Sequence, residues 1–523
     1  MRRCFARSPL LVLAAITGLS CSAAGDVAPT QEEPASAPGS ALWTDEGDAP
    51  EAEPVSAPRR VLLVVVDDMS AMSSPMYADD FPDLTFRSAP LPNVESICDG
   101  GVRFRQAWSA PSCTATRATL MTGRHGFRNG SIQLMGNAGD HLAVDEPTLP
   151  RLLTQARPTV KTASFGKYNL GHTEESGGER TPNDMGWSHY AGALDANVPD
   201  YYSWPRTVDG VTETSSTYAT TQAVDDTIRW LDEQGADASW MVWLAFNAPH
   251  APFHAPPAEL HDQDLPWAES PDVSVTDPEL VRPYYLAATQ AMDSELGRLL
   301  RWMEQNGHGD TDIIFIADNG APPEVVEAPM DPNRGKGTIF EGGVHVPFCV
   351  SGPSVAGSGR VEDHPVGAVD ILATVLDLQG APAPETLSDA VFDGQSLAPL
   401  LRDPSARLPR DWAYTEVGGV DSRYGAGQAV NASGEKLIRF TDSGVESLFD
   451  LELDPLEEVD FLAAVEEETD ARSDRGEERG KDDEHGHDDD GDEQEPDASQ
   501  GGDTQRRQET LGALIDSLTA SAE

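Results

Sequence analysis

The chain has 523 residues, 39% of them hydrophobic, enough to bury a large core in two domains or one very large one. Its 36 basic against 89 acidic residues leave a formal charge of −53, which excludes nucleic acid as a partner because a phosphate backbone requires basic contacts. An anionic small substrate stays compatible, since it needs only a locally positive pocket. Five cysteines without paired spacing or a C-x-x-C motif argue against a disulfide framework and against a zinc site.

The first residues read as an export signal. Arg2, Arg3 and Arg7 form a positive start, and Leu10 to Leu19 is an apolar run too short to span a bilayer permanently. Cleavage fits after Ala24, giving a signal over 1–24. The alternative is a lipoprotein site at Ser20–Cys21, with the signal ending at 20 and Cys21 lipidated. Either reading takes the protein out of the cytoplasm, to the periplasm, the cell surface or the medium. Residues 25–58 are Ala, Pro, Glu, Ser and Gly with scarcely an aromatic, a linker that cannot bury enough apolar surface to order itself.

Folding begins abruptly at Arg59. Val61–Val66 is a continuous, mostly β-branched run, the pattern of a strand buried on both faces of a parallel sheet. Further strands are predicted at Thr162–Phe165, Trp240–Phe246, Asp312–Ala317 and Pro347–Val350. Helical patterns at Val94–Gly100, Ala118–Met121, Tyr218–Glu233, Tyr284–Glu304 and Val369–Leu378 lie among them. Strands alternating with helices predict an α/β domain over 59–401 with a mixed, mostly parallel central sheet. Residues 402–523 predict a smaller α+β subdomain whose antiparallel strands fall at Trp412–Glu416, Gln428–Val430, Glu435–Phe440 and Ser447–Asp450. A self-repelling acidic insertion at about 466–505 precedes an amphipathic helix at Leu511–Leu518.

Chemistry gathers at the strand ends. Asp67 and Asp68 close the first buried strand, where ligands of open α/β sheets collect. Adjacent carboxylates there repel by about 4 kcal/mol at close range in a typical protein dielectric, a cost that a hard cation removes. Asp312–Ala317 repeats the arrangement and ends in Asp318–Asn319, so two strand ends offer oxygen donors suited to Ca²⁺, with Mg²⁺ second, rather than zinc. Between them, Pro111–Ser112–Cys113–Thr114–Ala115–Thr116–Arg117 sets a cysteine at the mouth of a helix, where free N–H groups favour an anion. Arg117 follows one turn in on the same face.

These segments, taken in order from about Arg59 to Asp460, resemble a type I sulfatase of the alkaline-phosphatase-like superfamily. Val64–Asp68 resembles its first metal segment, Cys113–Gly123 its signature, and Gly166–Gly171 its second signature. Ala248–Pro249–His250, Ala317–Gly320 and Gly335–Val344 complete the set. The resemblance implies that Asp67, Asp68, Asp318 and Asn319 hold the cation, together with Cys113 after its oxidation to formylglycine by a maturation enzyme. It implies that Arg117 braces that residue, while Lys167, Asn169, His250 and Lys336 contact the sulfate or the leaving oxygen. Three carboxylates and a sulfate monoester carry four negative charges, and a divalent cation with Arg117, Lys167 and Lys336 carries five positive ones, so a near-neutral site fits inside an acidic protein. The implied reaction is attack on sulfur by a hydroxyl of the hydrated aldehyde, with Lys336 or His250 protonating the departing alcohol.

Two positions depart from the family pattern. Ala115 stands where many members have proline, and Asn169 where a histidine is usual. His172, three residues on, reads as a solvated loop side chain rather than a replacement. His250 is preferred over His254 and His261 because it follows a buried strand. Lys161, Arg334 and His345 read as ordinary surface residues. Hydrolysis of a phosphate or phosphonate ester is the alternative enzymatic reading, and a non-catalytic calcium-binding exported protein the alternative outside enzymology. The sulfated substrate, small molecule or saccharide, is set by loops whose sequences name no sugar, aryl group or lipid.

Overall fold

The computed structural model describes residues 58–82, 88–132, 141–171, 178–266, 278–419, 422–464 and 499–520. The expectations for residues 1–57 (export signal, Cys21, linker), for His172 and for acidic residues 466–497 lie outside them.

Ten strands form the central sheet. In chain order they are β1 (Arg60–Val66), β2 (Val102–Phe104), β4 (Lys161–Lys167), β5 (His189–Ala193), β6 (Trp204–Val208), β7 (Val211–Ser215), β8 (Trp240–Ala245), β9 (Asp312–Ala317), β10 (Phe348–Ser351) and β11 (Arg360–Glu362). The short β3 (Ala107–Trp108) and β12 (Val366–Gly367) pair with each other beside it. The spatial order is β11-β2-β10-β9-β1-β8-β4-β5-β6-β7. Its middle, β9-β1-β8-β4-β5, is all parallel, and antiparallel pairings begin at β10 and β6.

Every residue of β1 is buried, as a strand hydrogen-bonded on both sides and covered on both faces requires. Two groups of helices flank the sheet. Pro92–Asp99 and Ala219–Gln234 each pack against Pro278–Gln305, while Cys113–Thr122, Leu149–Ala156 and Ile371–Leu378 contact one another. The helix Pro278–Gln305 runs through Pro283, so it starts before the Tyr284 at which its apolar pattern begins. β13 (Trp412–Val417), β14 (Gly427–Ala432), β15 (Glu435–Phe440) and β16 (Glu446–Asp450) form an antiparallel sheet in chain order. One face packs on Trp108, Ile339, Phe340 and Val344. The other is covered by Leu511 and Ile515 of the helix Ser499–Ala520. No helix among the described residues is long and apolar enough to cross a membrane.

The cysteine reading needs one correction. Cys98 and Cys349 form a disulfide across 251 residues, with Cα atoms 5.1 Å apart. Antiparallel pairing of β10 with β2 carries Cys349 beside the helix that ends at Asp99, a proximity that no local spacing encodes.

Candidate active site

Because β9, β1, β8 and β4 are adjacent and parallel, their carboxyl ends open on one edge of the sheet. That edge carries Asp318–Asn319, Asp67–Asp68, the turn to His250, and Lys167–Asn169. Local backbone geometry aims these residues. Asp68 and Asn169 adopt left-handed φ values of 71° and 53°, a conformation that Asp and Asn tolerate better than most residues. Gly166, at φ 85°, lets β4 turn before Lys167, since a Cβ there would lie 1.9 Å from Ala245 O. Backbone contact is equally close at Gly320, where a Cβ would meet Gly342 O at 1.8 Å.

The helix Cys113–Thr122 points its first residue at this edge. Cys113 is buried and unpaired with any other cysteine, and Ser112, the N-cap, makes no side-chain cap. Arg117, fully buried one turn on, donates from Nε (3.0 Å) and a terminal nitrogen (2.7 Å) to Asp318 Oδ2 and from the other terminal nitrogen to Lys167 O at 2.8 Å. Lys167 Nζ pairs with Asp67 Oδ2, and Lys336 Nζ with Asp68 Oδ1. His250 Nε2 lies 3.7 Å from Asp68 Oδ2. Its Nδ1 is 2.7 Å from Ala251 O, which can only accept, so Nδ1 carries the proton and Nε2 faces the carboxylates. Asn169 Nδ2 donates to Cys113 Sγ at 3.0 Å.

The donor set fits a hard cation. Asp67, Cys113 and Asp318 each offer a ligand atom within 4.8 Å of the others, and so do Asp67, Asp68 and His250. Asp67 Oδ1 and Asn319 Oδ1 are buried without a hydrogen-bond partner, while Asn319 Nδ2 is turned away to Asp68 Oδ1 (2.6 Å) and Gly320 O (2.9 Å). Orphaned buried acceptors are costly unless something electropositive meets them. Electrostatics follow from burial and these pairings. Burial opposes ionisation of Asp68, yet Lys336 and His250 hold its pKa below the ordinary value. Burial and neighbouring Asp67 push Asp318 upward. Burial and then Lys336 lower His250. Burial works against the charge on Lys336, but Asp68 and the other acids keep it protonated.

All ten residues expected from the sequence to form the site converge here. Two supports were not foreseen. Tyr285 donates to Asp68 O and Tyr201 to His250 O, both at 2.8 Å. Nothing local in the sequence marks either phenol as aimed at a backbone carbonyl. His254 is buried against Tyr201 and Tyr218, outside the carboxylate cluster. Lys161 stands exposed at the opposite end of β4. His345 is not a surface residue: it is buried, with Nε2 on Arg105 O and Nδ1 facing Glu341. Arg334 is half-buried against Phe340 and the 456–457 turn.

A family profile described as "Sulfatase" matches residues 59–381. The chain belongs to the sulfatase family. Among curated sulfatases, it is 27% identical over 345 residues to the uncharacterized sulfatase YdeN of Escherichia coli, covering 61% of this chain and 58% of the relative. It is 26% identical over 380 residues to the N-acetylgalactosamine-6-sulfatase of Rattus norvegicus, covering 66% of each. The matches thus span 58% and 66% of the length of these two sulfatases. The fold is that of BT4656, solved in complex with its substrate D-glucosamine-2-N,6-O-disulfate: TM-score 0.62 at 18% identity, covering 81% of this chain and 98% of that one. As in other members of the sulfatase family, a metal site belongs to the fold, and the acidic cluster with Cys113 is its candidate here.

Proposed function

We propose that the protein hydrolyses a sulfate monoester, releasing inorganic sulfate and an alcohol or phenol. The observation that carries this reading is the convergence of Cys113, at a helix N-terminus, with three buried carboxylates, the buried cations Arg117 and Lys167, and the partly buried Lys336 on one sheet edge. A divalent cation, Ca²⁺ by the all-oxygen donors, would be held by Asp67, Asp68, Asp318, Asn319 and position 113, and would supply Lewis-acid polarisation and charge neutralisation there. Position 113 is the unmodified thiol in this structure; its conversion to formylglycine by a maturation enzyme would supply a hydrated aldehyde as the nucleophile.

The chain's own side chains do the rest. Arg117 fixes Asp318 by two hydrogen bonds and Lys167 by its carbonyl, so helix and strand ends keep one geometry. Lys167 and Lys336 place two ammonium groups beside the carboxylates, where they bind an anionic ester and stabilise charge on the departing oxygen. His250, held by Ala251 O through Nδ1, presents Nε2 as the atom through which a proton reaches or leaves that oxygen. Asn169 donates to position 113 but cannot carry a proton, so His250 is the histidine of this constellation.

A sulfated saccharide is the substrate class we favour, supported by the sulfated amino sugars named for similar sulfatases. We also propose that the protein is exported and anchored, if at all, through lipid on Cys21; the leader pattern and the Cys98–Cys349 disulfide support that.

The test is production with a formylglycine-generating enzyme, mass spectrometry of the peptide containing position 113, and turnover of paired aryl sulfate and aryl phosphate esters. The expected result is conversion, sulfate turnover above phosphate turnover, and loss of both in Cys113→Ala. Conversion without sulfate turnover would refute the reading, and faster phosphate turnover would reverse it.

A further inference from the structure

Lys336 and the turn before Cys113 owe their placement to one stretch of chain. Residues 335–346 hydrogen-bond to three segments that build the site. Lys336 N–H donates to Ala321 O at 3.0 Å and Gly337 N–H to Pro111 O at 2.9 Å. Conversely, Gly320 N–H donates to Gly343 O (2.9 Å), Ser109 N–H to Val344 O (2.9 Å) and Ala71 N–H to His345 O (3.0 Å). A shift of this stretch would move the lysine, the nucleophile's approach and both metal segments together.

The C-terminal sheet grips the same stretch by charge. Lys436 on β15 is fully buried, with Nζ 2.9 Å from Glu341 Oε1 and 2.9 Å from Glu457 Oε1. Glu457 Oε2 accepts the Glu341 N–H at 2.6 Å. The same Nζ stands 4.7 Å from the ring centre of Trp108, five residues before Cys113. Arg334, just ahead of the stretch, donates to Leu456 O at 2.9 Å and to Glu457 O. One ammonium thus joins the arm carrying Lys336 to the arm carrying Cys113. Around it pack the apolar Ile339, Phe340, Val344 and Ile438, with His345 on the second oxygen of Glu341 and Asn431 opposite Lys436 on β14. Adhesion there needs only those apolar side chains, and a buried ammonium with two carboxylates carries a desolvation cost that packed hydrophobes avoid. What ionic hydrogen bonds add is a single permitted geometry.

We propose that Lys436, with Glu341 and Glu457, is a positioning constellation through which the C-terminal sheet fixes Lys336 and the Pro111–Cys113 turn for the reaction. None of the three touches the substrate position; they act through the 335–346 stretch. The kinetic arm rests on the proposed sulfate-ester reading, and the exchange arm does not.

The variants are Lys436→Met, Glu457→Gln, and the double variant Lys436→Met with Glu457→Gln, which removes the ammonium without leaving two unpaired carboxylates. Ile515→Ala, on the other face of the same sheet, controls for plain destabilisation. In matured protein, the double variant is expected to lose at least 10-fold in kcat on an aryl sulfate with KM within 3-fold of wild type. Glu457→Gln should fall between, and Ile515→Ala should lower Tm with kcat unchanged. Hydrogen exchange should accelerate in 335–346 and 109–113 of the double variant, and in neither segment of Ile515→Ala. Unchanged kcat in folded variants of an active wild type would overturn the proposal, as would unfolding of all three, which assigns the cluster to folding. A matured wild type without sulfate turnover would sink the functional reading instead; unchanged exchange in both segments would then still overturn this one.

Discussion

The Asp318→Asn substitution tests the cation and the internal pairing of the site at once. Asp318 Oδ2 accepts two hydrogen bonds from Arg117, and both side chains are fully buried. Removing the carboxylate charge leaves the guanidinium facing an amide, with Asp67 at 3.7 Å as its remaining carboxylate, in a site that water does not reach. Unpairing a buried ion pair costs about 3–5 kcal/mol. With an unfolding entropy of about 2.1 cal/mol/K per residue over roughly 400 described residues, that becomes a Tm lower by about 4–6 °C in the presence of chelator. A cation at 100 times its dissociation constant adds about 2.7 kcal/mol to the wild type, or about 3 °C on the same scale. If the lost charge weakens binding 100-fold, the same concentration adds only about 0.4 kcal/mol, roughly 0.5 °C. The assay is calorimetry of both proteins in chelator and in excess Ca²⁺. A variant that retains the full calcium increment would refute the assignment of Asp318 as a ligand, and one with unchanged Tm in chelator would refute the cost assigned to Arg117.

Three further outcomes follow from single contacts. Asn169→Ala removes the donor on position 113 and an acceptor that already lacks a partner, and holds an alanine at φ 53°, a strain of about 1–2 kcal/mol; Tm should fall by only about 1–2 °C while kcat/KM on a sulfate ester falls about 10- to 100-fold, the worth of one hydrogen bond to a charged group, and steady-state kinetics decide it. Replacing Cys98 and Cys349 together by serine opens a crosslink across 251 residues, which by loop entropy stabilises by about 5 kcal/mol, and the loss should appear as a lower Tm that reductant no longer changes. Burial raises the Glu416 carboxyl to about 7 and lowers His125 to about 4. The folded state therefore binds the Glu416 proton first, giving stability that is lost as pH rises from about 4.5 to 7. His125 is protonated first in the unfolded state, so its contribution is lost as pH falls from about 6.5 to 4. The two slopes oppose between pH 4.5 and 6.5, so in Glu416→Gln acidification should cost about 1.4 kcal/mol per pH unit more than in wild type. Parallel Tm–pH curves for the two proteins would count against it.

Much of the fold was readable because its central strands are unambiguous. Val61–Val66 permits only a strand buried on both faces, and Trp240–Ala245 and Asp312–Ala317 repeat the pattern. What escaped lies at the margins. β6 and β7 alternate with polar residues and carry exposed positions such as Val211, so their pattern resembles a loop. Pro283 hid the start of a long helix: as its sixth residue it forgoes one i→i−4 hydrogen bond, a cost that the tertiary packing of this helix outweighs. The disulfide was illegible for a topological reason: its cysteines meet only once β10 has come back antiparallel between β9 and β2.

The candidate site was legible in its chemistry and illegible in its support, and one physical distinction explains both. Residues that meet a cation or an anion must project from strand ends and a helix mouth, so they leave compact local strings such as Val66–Asp67–Asp68 and Ala317–Asp318–Asn319. Residues that hold those strings in place act through single contacts chosen by the tertiary fold. Tyr285 reaches Asp68 O across 217 positions, and Lys436 reaches Glu341 across 95. No spacing announces either pairing, because loop closure between distant positions varies only slowly with the length of chain between them. A lysine in an alternating strand reads as solvent-facing until its neighbours fold around it. Lys436 instead lies beneath Trp108 with two carboxylates, where burial turns an ordinary surface residue into a cation that touches both arms of the site.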